Sequence, residues 1–349
     1  MKTERRGPRA IAVAVCSSLL LVAACSVGSP TPKLGSVGPY RGPSDCGPST
    51  RVVTVSDGSE LRTALADAQP GDVVWLNAGS YRGAFTASRS GTAKRHITLC
   101  GTPDAVLDGG TVDHKYTLHL DGADYTDVRG LTVQRGLKGI MADRWSHGTI
   151  DHVSVQDTGE EGIHLRRASS YDTISNSRIS RTGVAALNVQ PEAHHNGEGL
   201  YIGSSHNHWG RYTHGQPDRS DHVRIIGNHF TETTAENVDV KEGTVGGLIS
   251  GNTFDGAGMD PEAADSWIDI KGNDYTVSHN RGFNAPKDGF QTHVLLAGWG
   301  VGNVFTANVV HVDGPGYGIS IDPKGTANTV RCNNVVVAAR SGLSDVPCH

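Results

Sequence analysis

The sequence predicts an all-β chain wound as a right-handed parallel β-helix, a solenoid with a short N-terminal capping helix. Three observations predict it. Gly accounts for 45 of 349 residues and aromatic residues for only 6%, so few segments suit a long amphipathic helix. Beyond about residue 105, short alternating strands are broken repeatedly by Gly, Asn and Asp. The breaks also recur in register. Asn176, Asn228, Asn252, Asn280, Asn308 and Asn333 each follow a short apolar strand, with later gaps of 24, 28, 28 and 25 residues. One strand–turn unit repeated at such a period marks a solenoid; a β-sandwich is the main alternative when the repeat is overlooked. Asn at a recurrent tight turn suits the left-handed conformation and can stack its amide on the coil above.

The N-terminal elements come next. Lys2, Arg5, Arg6 and Arg9 form a basic start, followed by an apolar run from Ile11 to Ala24 that is too short to span a membrane. Residues 1–24 therefore read as a signal peptide. The run ends in Val22-Ala23-Ala24-Cys25, which resembles the lipobox of bacterial lipoproteins, with Cys25 as the lipidated residue. The expected address is exported, lipid-anchored on the outer face of the cell membrane or released, with the anchor as the only membrane contact. Residues 25–50 are rich in Ser, Pro and Gly and read as a flexible tether. Residues 51–349 form the β-helix domain, expected to be a monomer.

Four cysteines are left in that mature chain: Cys46, Cys100, Cys332 and Cys348. An even count outside the cytoplasm favours disulfides. Three pairings are possible, and Cys46–Cys100 with Cys332–Cys348 is favoured because it staples the two ends. No C-x-x-C is present to suggest a zinc or redox centre. The formal charge is −5; removing the signal segment, with four basic residues against Glu4, leaves about −8. Such a surface does not recruit nucleic acid by bulk field. An acidic ligand would need a local cationic patch or a bound metal.

Ser59–Ala68 reads as a short helix with Leu61, Leu65 and Ala68 on one side. It precedes the strand Val73-Val74-Trp75-Leu76, as a cap over the first coil would. From Glu60-Leu61 through Gly71-Asp72 and Gly79-Ser80-Tyr81 to Ser90-Gly91-Thr92 and Ile97-Thr98-Leu99, the chain resembles the start of the pectate-lyase-like β-helix superfamily. The likeness spans nearly all of the mature domain.

In a parallel β-helix, coils stack roughly 4.8 Å apart and alternate residues face outward. Four strands share one sheet in this reading: Ile163-His164-Leu165-Arg166, Leu200-Tyr201-Ile202-Gly203, Val238-Asp239-Val240-Lys241 and Ile268-Asp269-Ile270-Lys271. Ile319-Ser320-Ile321-Asp322 continues it, and Leu187-Asn188-Val189-Gln190 competes for the second place. Asp then lies over Asp and Lys over Lys. Like charges stacked this way destabilise a sheet, so folding alone does not favour the choice, although each Asp could simply screen a nearby Lys. Functionally, the pattern suits β-elimination from a uronate sugar. The acidic side chains bind a cation, and a lysine of depressed pKa removes the proton beside the sugar carboxylate.

Two lyase groups carry this pattern. Glu236-Asn237-Val238-Asp239-Val240-Lys241 resembles the Asp-x-x-Asp-x-Lys stretch of family-nine pectate lyases, which implies calcium on the acidic residues and a base near Lys271. Asn196-Gly197-Glu198-Gly199-Leu200-Tyr201-Ile202-Gly203 resembles a strand of the chondroitinase-B and alginate lyase group, which implies a base near Lys241. The chain departs from the first at Glu236, where that pattern has Asp, and from the second at Lys271, where that group has Arg. The expected set is therefore Lys271 as the favoured base with Lys241 beside it, and Tyr201, His164 and Arg166 on the same face. Tyr201 protonates the leaving oxygen. Ca²⁺ lies among Glu198, Glu236, Asn237, Asp239 and Asp269, where six to eight oxygens are needed.

The insertion Ser204–Asp221, with His206, His208, Trp209, Arg211 and His214, reads as a loop overhanging the groove in which Trp209 could stack on sugar rings. Trp267, Trp299 and Phe290 read as core or groove-wall residues. The expected partner is an acidic polysaccharide. Two other functions stay open: a glycoside hydrolase using Asp239 and Asp269 as acid and base, and a non-catalytic glycan-binding surface protein.

Overall fold

The computed structural model describes residues 40–185 and 195–349. The signal-peptide and Cys25 readings, and the competing Leu187–Gln190 strand, lie outside the described residues. Short strands of two to six residues alternate with turns, and those of successive coils pair in parallel. The described strands form three parallel sheets of 11, 10 and 10 strands. In each sheet the order follows the chain with every third strand adjacent, except that the first two strands of the 11-stranded sheet are consecutive, the topology of a chain wound around one axis.

Alternation drives the winding. In the third sheet Ile163, Leu165, Leu200, Ile202, Val238, Val240, Ile268 and Ile270 are fully buried, and the residues between them face out. Phe230, Phe254, Phe290 and Phe305 continue the core. Trp267 and Phe290 are core residues, as expected. A helix over Gly58–Asp67, whose N-terminus Asp57 caps by accepting from the Ser59 and Glu60 amides, packs Leu61, Ala64 and Leu65 into the same core.

Both favoured disulfides are present, Cys46–Cys100 and Cys332–Cys348. The first pulls in residues that composition assigned to the tether. Tyr40 is buried, donates to Asp151 Oδ2 at 2.6 Å, and is followed by a 3₁₀ turn over Pro43–Cys46. The packed chain therefore includes residues 40–50.

The asparagine ladder is real but displaced at both ends. Its members are Asn228, Asn252, Asn280, Asn308 and Asn334, with Ser177 rather than Asn176 before them. Each Oδ1 accepts the backbone amide of the coil before it, at 2.9–3.0 Å. Each Nδ2 donates to a strand carbonyl, as Asn280 does to Ile249. The left-handed conformation belongs to the residue before the ladder (Asn176, Gly227, Gly251, His279, Ala307), not to the ladder member itself. The strand period located the turn, and the need to satisfy buried amides placed the side chain one residue later.

Asn280→Ala should orphan the Asn252 amide and side chain, at about 1–3 kcal/mol for each buried group left unpaired. Denaturant unfolding should show a lowered midpoint. An unchanged midpoint would mean that the ladder is not structural.

Candidate active site

The third sheet carries the polar wall. Pairing places Met141, His164, Tyr201, Asp239, Asp269 and Gln291 one above another on successive strands. Leu200–Ile202 occupies the slot between Ile163–Arg166 and Val238–Val240. The residues two positions on form a second column, in which Lys241 and Lys271 follow the same ladder. Both are the columns read from the sequence.

Asp239 lies between the two amines. Lys241 Nζ is 2.5 Å from Asp239 Oδ2, and Lys271 Nζ is 2.8 Å from Oδ1. Lys271 also meets Asp269 Oδ2 at 2.6 Å, and His293 Nδ1 approaches Asp269 Oδ1 at 2.7 Å. These pairs resolve the apparent repulsion, since the acidic and basic columns neutralise each other diagonally. They also correct one expectation. Burial disfavours the charge on both lysines, but Asp239, aided by Glu198 at Lys241 and by Asp269 at Lys271, outweighs it and raises both pKa values rather than depressing them. Burial likewise works against the Asp269 carboxylate, and Lys271 with His293 overcomes it and lowers its pKa.

Beside this network, Glu198, Glu236 and Asp239 each offer a carboxylate oxygen, all within 4.8 Å of one another. Burial, reinforced by the neighbouring carboxylates, raises Glu198 well above the usual range and Glu236 to about 8. Glu198 Oε2 and Asn237 Oδ1 are buried acceptors with no donor among the described residues. This donor set fits a hard divalent cation, which takes carboxylate and amide oxygens. Asp269 stands apart from it, committed to Lys271 and His293.

Tyr201 lies between the two groups. Burial, then Asp239 and Glu198, raise its phenol pKa. Lys241 Nζ sits 4.7 Å from its ring centroid, and the His164 ring is 4.5 Å away on the other side. His164 is engaged at both nitrogens, facing Glu161 Oε1 at 3.1 Å and the Gly203 carbonyl at 3.0 Å. Arg166 is buried against Asp143, Nε to Oδ1 at 2.7 Å, with the Tyr212 ring 4.1 Å from its guanidinium carbon. His164 and Arg166 thus share the wall, each held by a carboxylate partner, Glu161 and Asp143.

Trp209 is also turned from its expected use. It is buried, with Nε1 donating to the Ser204 carbonyl at 2.9 Å, so no ring face is free for sugars. His206 pairs with Glu242 at 2.5 Å. Sequence reading missed Asp143, Glu161, Tyr212 and His293. His293 was within reach, because it occupies the Lys271 register one coil later.

Asp239→Asn would leave two largely buried ammonium groups short of their shared counter-ion. Removing one partner of a buried pair costs about 3–5 kcal/mol, so a fall of that order in unfolding free energy is expected. A fall under about 1 kcal/mol, the scale of exposed pairs, would show the network to be solvated.

No family model and no curated protein matches the chain. Among solved structures, an alginate lyase from Paenibacillus sp. str. FPU-7 is 34% identical, covering 85% of this chain and 98% of its own, with a TM-score of 0.78. Pectate lyase Pel9A is 19% identical over 86% of this chain and 79% of its own, with a TM-score of 0.59. A PL6 family alginate lyase, AlyGC, is 17% identical over 82% of this chain but 40% of its own, with a TM-score of 0.50. The last two share the fold. The coil architecture and the identity across almost the whole Paenibacillus enzyme show that this chain belongs to the pectate-lyase-like right-handed parallel β-helix superfamily, the scaffold of these polysaccharide lyases.

Proposed function

We propose that the chain is a polysaccharide lyase that cleaves a uronate polymer by β-elimination, with Lys241 as base and Tyr201 as acid. The contact between these two side chains beside the carboxylate cluster carries the reading. Alginate is the first polymer to test, because the 34% identical relative is an alginate lyase.

Lys241 takes the proton from the carbon beside the sugar carboxylate. The electron pair left behind forms the carbon–carbon double bond, the adjacent glycosidic carbon–oxygen bond breaks, and Tyr201 gives its phenolic proton to the departing oxygen. Tyr201 suits this role because its environment keeps the phenol protonated. Lys241 keeps its own proton mainly through Asp239. Once Asp239 turns to another positive partner, burial dominates and the amine can release that proton near working pH. Lys271 is the less suited base, since two carboxylates hold its ammonium; this reverses the preference drawn from sequence. Glu198, Glu236 and Asp239, with Asn237, are the residues that would hold Ca²⁺. Bound there, Ca²⁺ would neutralise the substrate carboxylate and stabilise the enolate-like transition state. A hydrolase using Asp239 and Asp269 is disfavoured because both carboxylates are committed to ion pairs, Asp239 with Lys241 and Lys271 and Asp269 with Lys271 and His293.

Wild type should release unsaturated ends that absorb in the near ultraviolet. Lys241→Ala and Tyr201→Phe should each lower kcat by about 10²-fold or more, the scale of general acid–base catalysis, with a smaller loss for Lys271→Ala. Full activity in both of the first two variants would remove this mechanism. Calorimetric titration with Ca²⁺ should show one site that Glu198→Gln weakens at least tenfold; no binding heat in wild type would leave the cluster as a proton-holding site.

Export as a lipoprotein modified at Cys25 belongs to the same proposal, supported by the basic start, apolar run and lipobox-like tetrapeptide. Labelled fatty acid should enter the wild-type chain and not Cys25→Ala. Equal labelling of both would overturn it.

A further inference from the structure

Next to the wall, but outside the proposed catalytic group, lies a cavity of about 250 Å³ lined by Arg144, Arg167, Arg219, His214 and Tyr212. The chain as a whole is acidic, so three arginines around one cavity are unexpected from composition. Arg144 and Arg167 each follow a paired wall residue, Asp143 and Arg166, and so stack on successive coils. Like charges in that arrangement oppose pairing. Both also have positive φ, 53° and 59°, as do other turn residues of this solenoid such as Arg135 and Arg181, so charge repulsion is what sets folding against arginine there. Their counter-ions are few: Arg144 pairs with Asp121 and Arg219 with Asp221. The Arg167 guanidinium has no ion-pair partner among the described residues, because the nearby Asp218 accepts the backbone amides of Arg167 and Ala168 instead.

The cavity is continuous with the wall. Tyr212 lines it and packs on Arg166, and Asp121 belongs to a strand of the same sheet. Arg166 lies two coils before Lys241, with Gly203 between them, so the separation along the axis is roughly 10 Å. A ligand reaching both points must extend along the sheet and carry negative charge away from its reacting unit.

We propose that Arg144, Arg167 and Arg219 form a remote carboxylate-binding subsite that grips a non-reacting uronate of the polymer. This inference rests on the lyase reading for its substrate, and it adds that binding energy is gathered away from the cleavage point. Planar guanidinium forks suit paired carboxylate oxygens. Arg167→Ala is a fair probe because the next residue, Ala168, already adopts the same left-handed conformation with φ 67°.

The test compares Arg167→Ala, Arg219→Ala and the double variant on long alginate and on the shortest oligomer that wild type cleaves. KM for the polymer should rise about five- to tenfold with kcat unchanged, and kcat/KM for the short oligomer should not move. Arg167→Lys should recover part of the loss. Equal effects on both substrates, or none on either, would overturn the subsite. Calorimetry with a uronate hexasaccharide under chelating conditions separates this from the lyase proposal. Binding that weakens in the double variant supports the subsite even if wild type cleaves nothing, and binding that is unchanged in that variant overturns it.

Discussion

In-register parallel pairing between coils is the constraint on which everything else depends. Once Val238 pairs with Ile268 and Val240 with Ile270, Asp239 has no choice but to lie over Asp269. Lys271 then follows Lys241 up the ladder. Apolar alternation sets this register, because a slip of one residue would turn Val and Ile outward and bury the charges. The same rule stacks the internal amides of Asn228, Asn252, Asn280 and Asn308. Sites on this scaffold are columns, and their chemistry is chosen one residue per coil.

The columns place like charges together, and the network answers in two ways. On one side, Asp239 and Asp269 interleave with Lys241, Lys271 and His293, so each buried charge has a partner. On the other, Glu198 and Glu236 have no ion-pair partner among the described residues, and their proton affinity rises. A buried carboxylate without a counter-charge either holds a proton or awaits a positive ligand. Tyr201 sits at the junction of the two halves. That junction divides the wall into an ion-paired half at the lysines and a half short of counter-charge at the glutamates, with a phenol of raised pKa between them.

The solenoid, the sheet that carries the site, its outward residues and both disulfides were legible in the sequence, because periodicity records the pleat directly. The helix before Pro70 was legible too, from Leu61 and Leu65 on one face. Diagonal contacts were not. No one-dimensional pattern states that Lys271 reaches back to Asp239, and so the expected depressed lysine pKa became a raised one. The insertion defeated composition-based reading in the same way. Trp209 looked like a sugar platform, but its indole found the Ser204 carbonyl, and Tyr212 took the position over Arg166. At the ladder ends, Asn176 and Asn333 drew attention that belonged to Ser177 and Asn334, since two polar residues in a row cannot be ranked without knowing which carbonyl lies above.

In the proposed function one outward wall, on the sheet through Tyr201, Asp239 and Asp269, receives the polymer. A crystal structure of Tyr201→Phe soaked with a uronate oligosaccharide tests it most directly. The sugar chain should lie along that sheet, across successive coils, with the hydrogen beside one carboxylate facing the Lys241 amine. A chain bound on either of the other two sheets, or one crossing this wall with no sugar near Lys241, would contradict it.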